Sequence, residues 1–400
     1  MKKKIMILGA SNLQLPAIIK GKEMGLEVIA VDMDVNAIGF NFADVCINLS
    51  TLDVLGIIEV AQKYQINAIM TLASDMPMRT VAAVSETLKI VGITRETALN
   101  VTNKYLMRSV LKSRGVSVPS FYKAVTLDDY MNIIGNFSGK VIVKPADNSG
   151  SRGVFLIENI HNKQIVEYAF KYSKKYSRSG EIIIEEYMEG VEVSVEALTF
   201  EGKTTIIAIT DKVTTGAPNF VEVGHTIPSQ LSEEIKEQVQ SITRKAIQSV
   251  GIINGPSHTE IIVTEAGPKI VEIGARLGGD NITTHLVPLA TGIDIVAATI
   301  KIAMGDFPII SKNKDMAAAI RYFETYTGKI TNIVGIEEAR MLPGVVEIHL
   351  NKNKGEIVTE ITSSTDRVGH VISFASSAVD AINRCNDVMN LIQFEIEKNN

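Results

Sequence analysis

Residues 255–280, GPSHTEIIVTEAGPKIVEIGARLGGD, decide the fold. Polar and apolar residues alternate over 257–263 and again over 269–273, the period of half-buried strands. Thr264-Glu265-Ala266-Gly267-Pro268 between them reads as a hairpin turn. Symmetry about Ala266 predicts that Glu260 and Glu272 face each other across the strand pair. Opposed side chains lie about 5 Å apart, where like charges are destabilising. A hard cation such as Mg²⁺ would reverse that sign by taking carboxylate oxygens. Two solvated glutamates on an exposed face are the competing reading. Arg276 and the Gly278-Gly279 turn follow within reach of the same strand end. Paired carboxylates, a fixed cation and backbone N–H groups suit a phosphoryl-transfer centre.

A chain of 400 residues has room for two or three domains. Its 46% apolar and 21% charged residues fit a soluble globular protein with a sizeable core. A net charge of −5 without a basic block argues against nucleic acid as the partner. The apolar run after Lys2-Lys3-Lys4 is too short for a signal peptide and lacks a cleavage site. No stretch approaches a membrane span, so a cytoplasmic protein with no membrane partner is expected. Cys46 and Cys385 lack metal-ligand spacing and read as buried free thiols.

Towards the N-terminus, strands at 4–8, 27–31 and 68–72 alternate with helices at 13–24 and 76–88, which implies a parallel α/β sheet. Asp32 at a strand end invites a dinucleotide reading. The glycine fingerprint fails, because only Gly9 is present where three glycines are needed. A Rossmann-like scaffold with a tight first turn remains. Helical periodicity runs from 96 to about 114, with Gly115 as a stop, and Lys104 inside it reads as a helix-surface lysine. From about 118 to 196 strands are expected to dominate.

Within that region, VIVKP (141–145) leads to DNSGSRG (147–153) and then VFLI. A Gly/Ser-rich loop can present N–H groups to phosphates. It is no Walker loop, since a strand follows and Gly-Lys-Ser/Thr is missing. A hairpin tip over a nucleotide, with Lys144 on the strand beneath, competes with a solvated turn. Glu185-Glu186-Tyr187-Met188-Glu189-Gly190-Val191-Glu192 could hydrogen-bond a base and ribose, or be solvated strand-end acids. In VEVGHTIP (221–228), His225 is a ligand or a structural histidine. Helices are expected at 232–250 and 281–304, the latter interrupted near Thr291-Gly292. Beyond 315 the chain is strand-rich, closes with a helix at 376–391, and carries no catalytic cluster.

In this order and spacing, the lysine strand with its loop, EEYMEGVEVSVEAL and HTEIIV…KIVEIGARLGGD resemble the ATP-grasp superfamily over essentially the whole chain. VEVGHTIP followed by EIGARLGGD resembles the L-amino acid ligases within it, which join two amino acids into a dipeptide. The resemblance implies an α/β and α+β architecture. A Rossmann-like domain would span 1–95, an ATP-grasp domain 96–310 with a lid lobe at about 118–190, and a C-terminal α+β domain 311–400. Lys104 and Lys144 would contact ATP phosphates, with Ser149, Gly150, Ser151 and Gly153 closing over them. Glu185 and the backbone of Glu186 and Met188 would read adenine, and Glu192 the ribose. Glu260 and Glu272 would bind Mg²⁺, with Mn²⁺ as the alternative. Arg276, aided by the Gly278 and Gly279 backbone, would stabilise an acyl phosphate and a tetrahedral intermediate. Glu222 would face the ammonium of the activated amino acid, and His225 would line the same pocket.

The implied reaction joins a small-molecule carboxylate to an amine with release of ADP and phosphate. Many superfamily members carry Glu-x-Asn at the metal, whereas Gly274 stands here at the third position. The alternative on the same fold is a carboxylase or carbamoyl-phosphate-type enzyme activating bicarbonate. A nucleotide-binding regulator without turnover would not need Glu260, Glu272 and Arg276 together. A homodimer is left open.

Overall fold

The computed structural model describes residues 2–148 and 150–397. β1 (Lys4–Leu8), β2 (Glu27–Asp32), β3 (Val45–Asn48) and β4 (Ala68–Met70) form a parallel sheet in the order β3-β2-β1-β4. Parallel sheets covered on both faces read as unbroken apolar runs, and β1, KIMIL, is buried from Ile5 to Leu8.

The periodicity over 96–114 is not one helix but two, Arg95–Thr102 and Lys104–Ser113. Asn103 between them is extended (φ −128°, ψ 112°), and its side chain accepts the Leu106 amide as an N-cap. The break moves Lys104 from a solvated helix face to the first residue of a new helix. Its amide donates to the Ala146 carbonyl at 2.7 Å, and its side chain is only 11% exposed.

β5 (Phe121–Ala124), β6 (Val141–Pro145), β7 (Phe155–Ile157) and β8 (Ile182–Glu186) make an antiparallel sheet in the order β5-β8-β6-β7. Strands do not dominate this region as expected. Helices Leu127–Ile134 and Lys163–Tyr176 lie within it, capped by the Thr126 and Asn162 side chains. Tyr130, Val166 and Phe170 from those helices pack on Ile182 and Ile184 of β8, a core of this lobe alone.

The remaining strands are β9 (Val191–Phe200), β10 (Lys203–Thr214), β11 (Glu222–Ile227), β12 (Gly255–Thr264), β13 (Gly267–Gly274), β14 (Ala317–Tyr322), β15 (Gly328–Val334), β16 (Val345–Leu350), β17 (Ile357–Val358), β18 (Gly369–Ala375) and β19 (Gln393–Glu397). Eight of them form one antiparallel sheet in the order β13-β12-β9-β10-β11-β14-β18-β16. The C-terminal strands β14, β16 and β18 therefore extend the same sheet that carries the hairpin. β17, β15 and β19 form a small sheet beside it.

Two of the cores against the large sheet also take in the N-terminal sheet. One joins Val193, Val195 and Ala197 of β9 to Met6 and Leu8 of β1; the other joins Ala318 and Ile320 of β14 to Ile5 and Ile7. The N-terminal sheet is thus welded to the large sheet through both faces of β1. Among the described residues no single helix is long and apolar enough to cross a membrane. Both cysteines are free; Cys385 is buried as expected, but Cys46 on the edge strand β3 is exposed.

Candidate active site

The hairpin delivers the expected pairing by a different route. Thr264 pairs with Gly267, so Glu265 and Ala266 alone form the turn, and the turn is not centred on Ala266. That register would set Glu272 against Thr259 and send it to the opposite face. Between Glu260 and Ile261 the register shifts by one residue, leaving Val271 as a bulge, and Glu260 lies directly opposite Glu272.

Both carboxylates open into a cleft of about 1060 Å³, partly open to solvent, between the lid sheet and the large sheet. Lys104, Lys144, Gly150, Ser151, Glu185, Glu186, Met188, Glu192, Glu222 and Arg276 also line it. Twelve of the residues singled out from sequence thus meet in one place: these ten with Glu260 and Glu272. Ser149 lies outside the described residues.

The cations of the cleft are held by carboxylates. Lys104 Nζ donates to Glu272 at 2.9 Å and to the Asn148 carbonyl at 2.7 Å. Burial disfavours its charge, but Glu272 more than offsets this and the pKa is raised. Lys144 Nζ lies 2.6 Å from Glu185, and burial pushes its pKa below the usual lysine value despite that partner. Arg276 makes a two-point pair with Asp75, at 2.8 and 3.3 Å, and donates to the Leu277 carbonyl at 3.1 Å.

Lys212 was not expected. It sits 2.7 Å from Glu192, 3.3 Å from Glu260 and 3.6 Å from Glu222, with its side chain 5% exposed. Burial opposes its charge, yet the three acids, Glu260 foremost, raise its pKa well above the lysine norm. Glu260 in turn is held well below the carboxylate range, because Lys212 and His258 outweigh its burial. Only the strand order β12-β9-β10-β11 brings these groups together, and sequence spacing carries no sign of it.

Several expectations change. The Glu185 carboxylate is committed to Lys144 and to the fully buried Arg108, whose Nε donates at 2.6 Å, so it braces a lysine and is not free to read adenine. Gly278 does not offer its amide to a reacting oxygen: the N–H donates to buried Glu196 at 3.1 Å. A Cβ on Gly278 would come within 2.6 Å of Glu196 and 2.7 Å of His258, so glycine is what admits that pair. His258 Nδ1 bonds Glu196 at 2.5 Å, while its Nε2 lies 3.5 Å from Glu260. Burial lowers the imidazole pKa, but Glu196 overrides it and raises the value to about 9.

His225 does not line the cleft. It is buried, with Nε2 at 3.4 Å from Asp280. Asp280 also takes two bonds from Arg367, at 2.8 and 3.0 Å. Gly153 likewise faces Pro145 and Tyr176 and is not among the residues lining the cleft; nor is Gly279. The segment between β17 and β18 also reaches Glu222. Arg367 stacks 3.8 Å over Tyr322 and donates to the Glu222 carbonyl at 3.1 Å, and Ser364 lies 3.5 Å from the Glu222 carboxylate.

Mg²⁺ can be tested against the donor set. Glu260 and Glu272 are a carboxylate pair at the right register. Among the described residues no group of three or more His, Cys, Asp or Glu is placed to share a metal. Two carboxylates completed by phosphate oxygens and water is the usual Mg²⁺ arrangement, so the residues fit.

Residues 137–284 match the ATP-grasp domain family, and 321–397 match the L-amino acid ligase C-terminal domain 2. An uncharacterised protein of Sinorhizobium fredii is 28% identical over 314 residues, 78% of this chain and 65% of that one. The L-arginine-specific L-amino acid ligase of Bacillus subtilis is 25% identical over 280 residues, 69% of this chain and 67% of that one. The chain spans about half to two thirds of the length of these and the next curated relatives. The crystal structure of an L-amino acid ligase from Bacillus licheniformis superposes with a TM-score of 0.83 at 21% identity, covering all of both chains. The fold is that of the ATP-grasp proteins.

Proposed function

We propose, for a chain that carries an ATP-grasp domain and an L-amino acid ligase C-terminal domain, that it activates the carboxylate of an amino acid with ATP and joins it to an amine. The observation that carries this reading is the opposition of Glu260 and Glu272 in a cleft also lined by Lys104, Lys144 and Arg276. Mere nucleotide binding does not require that set.

A substrate carboxylate is a poor electrophile, so its oxygen first attacks the γ-phosphorus of ATP, and ADP leaves. Lys104 turns from Glu272 to the polyphosphate, and Lys144, braced by Glu185 and Arg108, meets it from the lid sheet. Glu260 and Glu272 would hold Mg²⁺, which supplies charge neutralisation at the transferring phosphoryl group. Glu192 accepts from the ribose hydroxyls. The amine then attacks the acyl carbon, Arg276 stabilises the oxyanion, and phosphate leaves with a proton lost from nitrogen. Lid residues from Gly150 onward exclude water from the mixed anhydride.

Glu222 faces the α-ammonium of the activated amino acid, with Lys212, Ser364 and the Arg367 contact fixing its position. The test is phosphate release from ATP and Mg²⁺ across all pairs of amino acids, with mass spectrometry of the products. Amino-acid-dependent release with a dipeptide mass supports the reading. Bicarbonate-dependent turnover without any amino acid contradicts it.

A further inference from the structure

Arg276 sits on the chain just after the hairpin, yet its partner Asp75 comes from the loop after β4 of the N-terminal sheet, 201 residues away in sequence. Asp75 takes the Nε and Nη2 protons, and the Leu277 carbonyl takes one from Nη1. A guanidinium has five N–H bonds in a fixed plane. Three are spent on orientation, and the other two belong to a side chain that lines the cleft.

The position of the pair depends on Gly274. A Cβ there would stand 3.1 Å from Asp75 Oδ1 and 3.3 Å from Arg276 Nε. A side chain at this position would press on the ion pair, which would have to give by a few tenths of an ångström. Gly274, standing where Glu-x-Asn has its third residue, thus packs directly against the Asp75–Arg276 pair.

Asp75 is itself held. The loop after β4 is tied to the arginine segment by the Leu277 amide, which donates to the Leu72 carbonyl at 2.9 Å. Buried Gln14, which follows the tight turn at Gly9, accepts the Leu72 amide at 2.6 Å and donates to Ser74 at 3.0 Å. The first turn of the N-terminal unit, which lacks the glycines of a dinucleotide site, thus braces the loop that aims the arginine.

We propose that Asp75 is a positioning residue for Arg276, through which the N-terminal unit fixes the oxyanion-stabilising group, in the space left by Gly274. The inference rests on the ligase reading for its role in turnover. Asp75→Asn preserves shape and removes the charge. It should lower kcat at least about tenfold while KM for ATP stays within about twofold, since Asp75 is not among the residues lining the cleft. In an Arg276→Lys background the same change should cost no further activity, because Asp75 acts through the guanidinium. A loss below tenfold, or an additional loss in the lysine background, overturns the proposal; Asp75→Ser serves if the asparagine variant does not fold. Solvent exchange of the Arg276 Nε–H, read by ¹⁵N NMR, needs no turnover. It should be slow in the parent and at least about tenfold faster in Asp75→Asn; equal exchange overturns the inference. A parent with no amino-acid-dependent turnover would sink the ligase reading instead, and the exchange measurement would then decide this one.

Discussion

Glu272 stands opposite Glu260 only because Val271 is an extra residue in β13. Like charges in directly opposed strand positions are unfavourable. Here each has its own cation, Lys104 for Glu272 and Lys212 for Glu260. The cleft is a set of carboxylate–cation pairs that a polyphosphate can re-partner. The fold tolerates the acidic pair because the lysines of the cleft neutralise it.

Glu272→Gln removes one charge from that pair while keeping its size. Turnover should fall by at least about tenfold, roughly 1.4 kcal/mol of transition-state stabilisation, with the circular dichroism spectrum unchanged. Steady-state rates across a Mg²⁺ titration check this. Parent-like rates at every Mg²⁺ concentration would remove Glu272 from the metal site.

Glu185 links stability to pH. Burial alone would raise its pKa, but Arg108 and Lys144 bring it from 4.5 to about 2. A carboxylate depressed on folding stabilises above its unfolded pKa and loses that contribution as pH falls through the folded value. The shift corresponds to on the order of 3 kcal/mol, present at neutral pH and mostly gone near pH 2. In urea unfolding from about pH 6 to about pH 3, the stability gap between the parent and Glu185→Gln should be constant above about pH 4.5 and shrink below it. A gap that does not change with acidification would mean that the carboxylate is not so held.

Much of this was legible in the sequence because it is local. The alternation that made the hairpin, and the lysine strand with its loop, are contained within short windows, so period found the strands; the turn's register was off by one, and only the unforeseen bulge at Val271 restored the Glu260–Glu272 opposition. Lys104 was misread as a helix-surface residue because its amphipathic spacing continued across Asn103, whose capping role was visible only as one residue type. The helices within the lid lobe were missed for a similar reason, although Thr126 and Asn162 stand at their caps. Asp75, Arg108 and Lys212 could not have been assigned. Each meets its partner through strand order or domain contact, and an isolated charged residue gives no hint of the carboxylate or guanidinium it will meet.

A variant of Glu222, proposed to face the substrate ammonium, tests the carboxyl substrate apart from the nucleotide. Glu222→Gln should raise KM for the carboxyl substrate at least about tenfold and KM for ATP less than about twofold, since an ammonium loses its ionic partner while the phosphate contacts are intact. In the parent, carboxylic acids without the α-amino group should react poorly. Equal turnover of des-amino acids would leave a carboxylate–amine ligase but remove the dipeptide assignment.

In the proposed reaction a substrate carboxylate oxygen attacks the γ-phosphorus and later leaves with phosphate. Amino acids labelled with ¹⁸O in the carboxylate, turned over with unlabelled ATP, test it by mass spectrometry of the released phosphate. One ¹⁸O should appear per phosphate, with the other retained in the amide carbonyl. Phosphate free of ¹⁸O during amide formation would contradict an acyl phosphate and the whole account of the cleft.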